Sequence, residues 1–284
     1  MIFTTRFAPS PTGPLHLGHA YSAKCAYDLA QAAQGRFLLR IEDIDRSRAR
    51  AKWEEQIYDD LAWLGLTWEQ PVMRQSERLA VYEAALDDLW TRGLLYPCTC
   101  SRADIAAATS APQEGAPLLG PDGVIYPGTC KPVTAPKGPR PTDLPLRLNM
   151  AKACGLIASP LQFVEEGSGA SETITFNAAD MIKGVGDIVL SRRDMGTSYH
   201  LSVVLDDAEQ EITDVVRGRD LFDATRIHIV LQHILGLPHP TYHHHRLIRD
   251  DAGKRLAKRD DARAISKYRS EGFSKDEILG MLIP

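Results

Sequence analysis

Hydrophobic and polar positions along the chain switch repeatedly between two periods. Residues 1–5 are branched or aromatic and read as a β-strand. The run Ala8-Pro-Ser-Pro-Thr-Gly-Pro14 stops both periodicities, because its prolines and Gly13 suit neither a strand nor a helix. From Ala20 the alanine-rich sequence reads as a helix, so this opening is a strand, a tight loop and a helix N-terminus. Gly35 then introduces an apolar run over 37–41, the pattern of a strand buried on both faces. Residues 46–65 are helical, with Trp53, Ile57, Leu61 and Leu64 on one face, and Trp53 is assigned to the core. Residues 67–75, with Pro71, read as a loop. Residues 76–93 read as an amphipathic helix capped by Ser76, with Leu79, Tyr82, Leu86 and Leu89 along one side.

Further on, 109–123 is rich in Pro, Gly and Ala and reads as a loop, and 132–145 is a proline-rich, basic connector. Strands are expected from 146, around 174–177 and within 184–194. Residues 195–207 form a buried helix or strand with Tyr199 near its start and Asp206 and Asp207 at its end. A strand over 212–217 ends in Arg217, a helix follows over 225–235, and 238–245 is a strand or loop. Residues 261–284 suit one or two short helices.

A strand, a helix and a second strand make a βαβ unit, which predicts an α/β fold with a Rossmann-like sheet and a ligand crevice at the carboxyl ends of its strands. Glu42 stands at that end, where a carboxylate suits a substrate ammonium group or simply a solvated acidic turn. Arg217 would stand there in a second half, where its planar fork suits a carboxylate or an ordinary ion pair. The 284 residues suffice for one large domain or two modest ones. A net charge of −4 argues against bulk attraction to nucleic acid or membrane, while leaving room for a local basic face. There is no apolar run of membrane-span length and no signal-peptide pattern, so a cytosolic protein without membrane contact is expected.

Three features carry chemistry. The loop before Ala20 presents backbone N–H groups and a helix dipole, which suits a phosphate. His16 and His19 can face the same side of the first turn and donate to that phosphate, or serve as a cap. Five cysteines, an odd number, favour free thiols or a metal over disulfides. Cys98, Cys100 and Cys130 supply three soft ligands for Zn²⁺, and with no histidine in the region Tyr126 is the candidate fourth, as a phenolate; buried thiols are the alternative. Cys25 and Cys154 read as packed thiols. A basic, glycine-turned loop over 249–259 can reach over a triphosphate or lie solvated on the surface. The three consecutive histidines, His243 to His245, are read as strand or loop rather than as a metal tract.

Arg6-Phe-Ala-Pro-Ser-Pro-Thr-Gly followed by His16-Leu-Gly-His19 resembles the HIGH region of class I aminoacyl-tRNA synthetases, in its glutamyl/glutaminyl form. Arg40-Ile-Glu-Asp-x-Asp, Cys98-x-Cys100 with Tyr126-x-x-x-Cys130, Ser198-Tyr-x-x-x-x-Val-x-Asp-Asp and Val215-Val-Arg-Gly-x-Asp resemble the same family in order. Arg255-Leu-Ala-Lys-Arg stands where the family has KMSKS, with Arg255 for lysine and Ala257 for serine, departures that bear on the ordering of that loop. The resemblance implies a class I catalytic domain with an inserted zinc-containing subdomain and a short helical C-terminal portion. Its divisions would be 1–95 and 166–240 for the two catalytic halves, 96–165 for the insertion, and 241–284 for the KMSKS-like loop and terminal helices. It implies the catalytic half of a glutamyl-tRNA synthetase without an anticodon-binding domain.

The implied reaction is ligation. Glutamate attacks the α-phosphate of ATP to give glutamyl-adenylate, and the acyl group passes to RNA, in this branch to the queuosine base at the anticodon of tRNA(Asp). Alternatives are transfer to tRNA(Glu), adenylation for a non-RNA acceptor, and a non-catalytic RNA-binding role. By resemblance Arg6, Ala8, Ser10, Glu42, Tyr199 and Arg217 hold glutamate, His16, Gly18, His19 and Lys258 hold ATP, and His16, His19 and Lys258 are catalytic. One structural Zn²⁺ would sit on Cys98, Cys100, Tyr126 and Cys130, Mg²⁺ would accompany ATP, basic residues over 246–269 would face RNA, and a monomer is the default.

Overall fold

The computed structural model describes residues 2–109, 119–157, 160–167, 169–248 and 263–282. The strands are β1 (Thr4–Phe7), β2 (Arg36–Ile41), β3 (Met73–Arg74), β4 (Leu95–Pro97), β5 (Leu119–Gly120), β6 (Gly123–Val124), β7 (Leu146–Leu148), β8 (Leu161–Glu165), β9 (Glu172–Phe176), β10 (Val189–Ser191), β11 (Asp214–Gly218) and β12 (Thr241–His245). The helices are α1 (Leu17–Ala32), α2 (Ala51–Trp63), α3 (Leu79–Thr91), α4 (Arg102–Thr109), α5 (Met150–Gly155), α6 (Ala178–Gly184), α7 (Tyr199–Glu209), α8 (Thr225–Leu235), α9 (Ile265–Ser270) and α10 (Lys275–Gly280).

Two largely parallel sheets build the site. One is ordered β1-β2-β3 and is parallel throughout. The other is ordered β11-β12-β8-β9, parallel except for its edge strand β9. They meet where the Thr213 N–H donates to the Thr4 carbonyl (3.0 Å) and the Thr4 N–H donates to Thr213 Oγ1 (2.8 Å). A third, antiparallel sheet, β10-β7-β4, lies beside the cysteines.

α1 packs on β1, β2 and β11 through Ala20, Ala23, Ala26 and Ala30, a stripe of small residues that lets helix and sheet approach closely. Gly35 has a similar purpose. The chain turns there from α1 into β2 against β1, and a Cβ would collide with the Phe3 backbone. α8 ends at Gly236, whose φ of 67° is the left-handed cap that only glycine adopts without strain. One core joins α1, α2 and β1–β2 to Ile265 and Ile278 of the terminal helices and to Leu282 after them. A second joins α3 and α5–α8 to β4, β7 and β8.

Several boundaries differ from the sequence reading. The first strand lies at Thr4–Phe7, starting three residues later and ending two residues later than expected, because its partners Arg36 to Leu39 set the register. α2 begins at Ala51, and residues 46–48 make a turn instead. Trp53 is only partly buried, one turn short of the buried Ile57–Leu61 face, with the Lys52 ammonium 4.5 Å from its ring. Ser76 does not cap α3. Its N–H (2.8 Å) and Oγ (2.6 Å) both donate to Asp43, which holds it in a 3₁₀ turn over Gln75–Glu77. Residues 67–75 contain β3, and the described end of 109–123 is the β5–β6 hairpin. Residues 199–209 are a helix, capped by Ser198 Oγ. Cys154 is buried and Cys25 half-buried, and both are free thiols packed against the cores. Among the described residues, no helix is long and apolar enough to cross a membrane.

Candidate active site

The parallel strands deliver their charged residues to one end of the two sheets. Arg6 lies near the end of β1, Glu42 directly after β2, Arg217 near the end of β11, His244 in β12 and Glu165 at the end of β8. The Glu42 N–H donates to the Pro9 carbonyl at 3.0 Å, which ties the proline loop to that end of β2. α7 crosses above, with Tyr199 at its start and Asp207 near its end.

His16 is the N-cap of α1. Its Nδ1 accepts from the Gly18 N–H (3.1 Å), and His19 Nδ1 accepts from the His16 N–H (3.2 Å). The two rings stack with centroids 3.7 Å apart. With each Nδ1 occupied by a backbone donor, each neutral imidazole carries its proton on Nε2. The pair therefore forms both a cap and a matched set of Nε2–H donors at a helix N-terminus. Lys258, Arg255 and Ala257 lie outside the described residues. The flanking chain is anchored to the same place: Ile248 is buried in the first core, and Ala264 pairs with His16 across an isolated bridge.

Beneath this loop lies a buried charge cluster. Arg40 is completely buried, donating through Nη1 to Asp207 Oδ1 (2.7 Å) and through Nη2 to Glu42 Oε1 (3.2 Å). Arg6 grips Asp207 through Nε (2.8 Å) and Nη2 (3.1 Å). Burial pushes the Asp207 carboxyl upward, but Arg6 and Arg40 outweigh it and hold it at about 2. Burial raises Glu42, opposed by Arg40 and Arg6. Arg6 Nη1 has no partner among the described residues.

Arg217 is 5% exposed and its guanidinium meets no carboxylate among the described residues. Its contacts are His244 Nε2 and His228 Nδ1, both at 3.1 Å, Thr225 Oγ1 at 2.7 Å and the Leu221 carbonyl at 3.3 Å. Tyr199 packs its ring 5.8 Å from that of His228. Ser10, Glu42 and Tyr199 line one cavity of about 390 Å³. Ala8 is half-buried in the adjoining loop. Arg192, which the sequence reading passed over, borders this cavity and also one of about 600 Å³ beside the cysteines.

The Sγ atoms of Cys98, Cys100 and Cys130 lie within 4.8 Å of one another. Tyr126 Oη sits 3.4 Å from Cys98 Sγ and 3.3 Å from Cys100 Sγ. Three sulfurs and a phenol converging on one point fit a soft, tetrahedral metal ion. Arg147 stands behind them, with Nε 3.2 Å from Cys98 Sγ and its guanidinium 3.8 Å from the Tyr126 ring centroid. The three histidines point to separate partners: His243 to Asp214 (2.7 Å), His244 to Glu165 (2.5 Å) and His245 to the Arg246 carbonyl (2.8 Å).

The family model for the catalytic domain of tRNA synthetases class I (E and Q) matches residues 3–116 and 166–283. The chain belongs to this family. A relative from Rhodobacter capsulatus named glutamyl-Q tRNA(Asp) synthetase is 62% identical over 275 residues, covering 96% of this chain and 97% of that protein. Proteins of the same name from Symbiobacterium thermophilum and Deinococcus radiodurans are each 40% identical, over 98% and 99% of this chain and 84% and 88% of theirs. A glutamate tRNA ligase structure from Elizabethkingia meningosepticum, in complex with its amino acid, superposes with a TM-score of 0.76 at 24% identity. The glutamate-tRNA synthetase of Elizabethkingia anophelis superposes with a TM-score of 0.78 at 23% identity. Both cover 99% of this chain, which spans 60% and 61% of theirs, and both carry the likeness of fold.

Within the family fold, Arg6 of β1, Glu42 after β2 and Arg217 of β11 come within electrostatic range of Tyr199 at the start of α7, and Glu42 and Tyr199 line the cavity of about 390 Å³. The sequence reading missed Arg40, Asp207 as counter-charge, and the histidines around Arg217. Arg40 stands inside the quoted Arg-Ile-Glu-Asp string, and its position at the buried end of an apolar strand was the available signal.

Proposed function

We propose that this chain activates L-glutamate with ATP and transfers it to the queuosine base at the anticodon of tRNA(Asp). One observation supports this most: Arg217, buried and without a carboxylate partner among the described residues, is joined through His228 to Tyr199, which shares a cavity with the half-buried Glu42, in a chain 62% identical over 96% of its length to a relative of that name. Arg217 and Arg6 Nη1 would meet the carboxylates of glutamate, and Glu42 its ammonium. Tyr199, Ser10 and Ala8 would shape the pocket.

In the first step a glutamate α-carboxylate oxygen attacks the α-phosphorus of ATP, and the bond to pyrophosphate breaks. Negative charge accumulates on the phosphoryl oxygens. The Nε2–H donors of His16 and His19, the α1 N-terminus beside Gly18, and Lys258 would stabilise it. In the second step an RNA hydroxyl attacks the acyl carbon, loses its proton, and AMP leaves with the bonding pair. Mg²⁺ would arrive with ATP.

Cys98, Cys100, Cys130 and Tyr126 would hold one Zn²⁺ as a structural cross-link of an inserted subdomain, since protein atoms fill all four positions. The reading keeps the divisions 1–95, 96–165, 166–240 and 241–284, and a cytosolic monomer. The test is transfer of radiolabelled glutamate to tRNA(Asp) with and without queuosine, beside tRNA(Glu). Label on queuosine-containing tRNA(Asp) alone is expected. Label on tRNA(Glu), or pyrophosphate exchange without any RNA labelling, would overturn the acceptor.

A further inference from the structure

A guanidinium has five donors and no acceptor, so any ring nitrogen facing it must be bare. Arg217 Nε faces His244 Nε2, which puts the His244 proton on Nδ1, pointing at Glu165 Oε2 at 2.5 Å. Arg217 Nη1 faces His228 Nδ1, which puts the His228 proton on Nε2, 3.1 Å from His200 Nδ1. His200 is then left with its proton on Nε2, 3.3 Å from Asp122 Oδ1. One buried arginine thus dictates three tautomers, in two chains that each end on a carboxylate. Burial and the Arg217 charge hold His228 well below the ordinary histidine range and His244 at about 4, with Glu165 opposing the shift in His244. Both imidazoles are uncharged at neutral pH. The carboxylates stand one and two rings away from the guanidinium.

We propose that His228 and His244 are positioning residues that fix the Arg217 fork without neutralising it, so that a substrate carboxylate, and not a protein one, completes its charge. A carboxylate placed directly on Arg217 would hold the fork equally well and consume its charge. A neutral imidazole holds it and leaves the charge available. The distal end of the longer chain, Asp122, sits in the turn between β5 and β6, so that hairpin is joined to the amino-acid site through His200. The inference rests on the reading that Arg217 holds glutamate.

The test is a pair of substitutions at one position, read as KM for glutamate and for ATP in pyrophosphate exchange, with thermal unfolding measured alongside. H228N keeps a neutral acceptor where Nδ1 stood and should stay within about threefold of the parent KM for glutamate, whereas H228D should raise it about tenfold or more with the KM for ATP unchanged. A histidine that merely fills space would make the two variants lose glutamate equally. Equal glutamate constants, or a parallel rise for ATP, would overturn the proposal. H244Q and H244E form a second pair with the same expectation, should H228D not fold. R217A separates the two levels. An unchanged glutamate KM in R217A removes the underlying assignment. A raised KM in R217A beside an unchanged one in H228D removes only the role of the histidines.

Discussion

Asp207→Asn isolates the charge that holds the two halves of the crevice together. The side chain keeps its size, so packing is conserved while two buried guanidiniums lose a shared partner. Arg6 Nε and Nη2 lie 2.8 and 3.1 Å from its oxygens, and Arg40 Nη1 lies 2.7 Å away. Removing one member of a buried ion pair costs about 3–5 kcal/mol, because the remaining charge cannot recover its hydration. Arg40 keeps Glu42 at 3.2 Å and Asp206 at 4.0 Å, which moderates the loss. Linkage gives an independent lower figure. A carboxyl held at about 2 instead of 3.8 stabilises the fold, by about 2 kcal/mol. The expected loss is therefore about 2–5 kcal/mol at pH 7, or a fall in Tm of roughly 5–15 °C for a chain of this size.

The sign of the pH effect follows from the direction of the shift. The folded-state value lies below the unfolded one, so the contribution is complete above about pH 4 and fades as pH falls toward about 2. The variant should lack that portion of the acid limb. Denaturant unfolding between pH 3 and 7, on the parent and on Asp207→Asn, measures both quantities. Asp28→Asn removes an exposed pair with Lys24 (2.5 Å) and serves as the control; it should cost no more than about 1 kcal/mol. A loss for Asp207→Asn no larger than this control, or an unchanged acid limb, would refute the account of the cluster.

Three other outcomes are expected. Glu42→Gln should raise the KM for glutamate roughly 10- to 100-fold while leaving that for ATP nearly unchanged, the loss of one charge-assisted contact; equal changes in both constants would refute its role. Cys100→Ser should release zinc, measured by atomic emission, and lower the unfolding midpoint, and an unchanged metal content would remove the four-ligand site. Gly35→Ala should destabilise by roughly 1–3 kcal/mol, since its Cβ meets the fixed Phe3 backbone; an unchanged midpoint in urea would contradict that close approach.

Much of the fold is local in origin and was legible in the sequence. The proline-rich loop between a strand and an alanine helix, the apolar run ending at Glu42, and the helix Thr225–Leu235 are each written in contiguous residues. Periodicity and turn chemistry act over a few residues, so a reader of the chain meets them directly. Boundaries set by partners were read less well. Asp43 captured Ser76 from the helix start expected there, and the register with β2 displaced the first strand.

The charge arrangement of the site belongs to the tertiary structure. Asp207 is 201 residues from Arg6 and 167 from Arg40, and no local pattern pairs them. His200, His228 and His244 looked like a residue of a helix or strand, a helix residue and one of a histidine run, until the fold placed His228 and His244 on Arg217 and His200 behind His228. The sequence by itself determined which residue types were available at the carboxyl ends of the strands. Only the packed structure decided which of their charges neutralise one another and which one stays open, because that balance depends on burial and on distances of about 3 Å between atoms far apart in the chain.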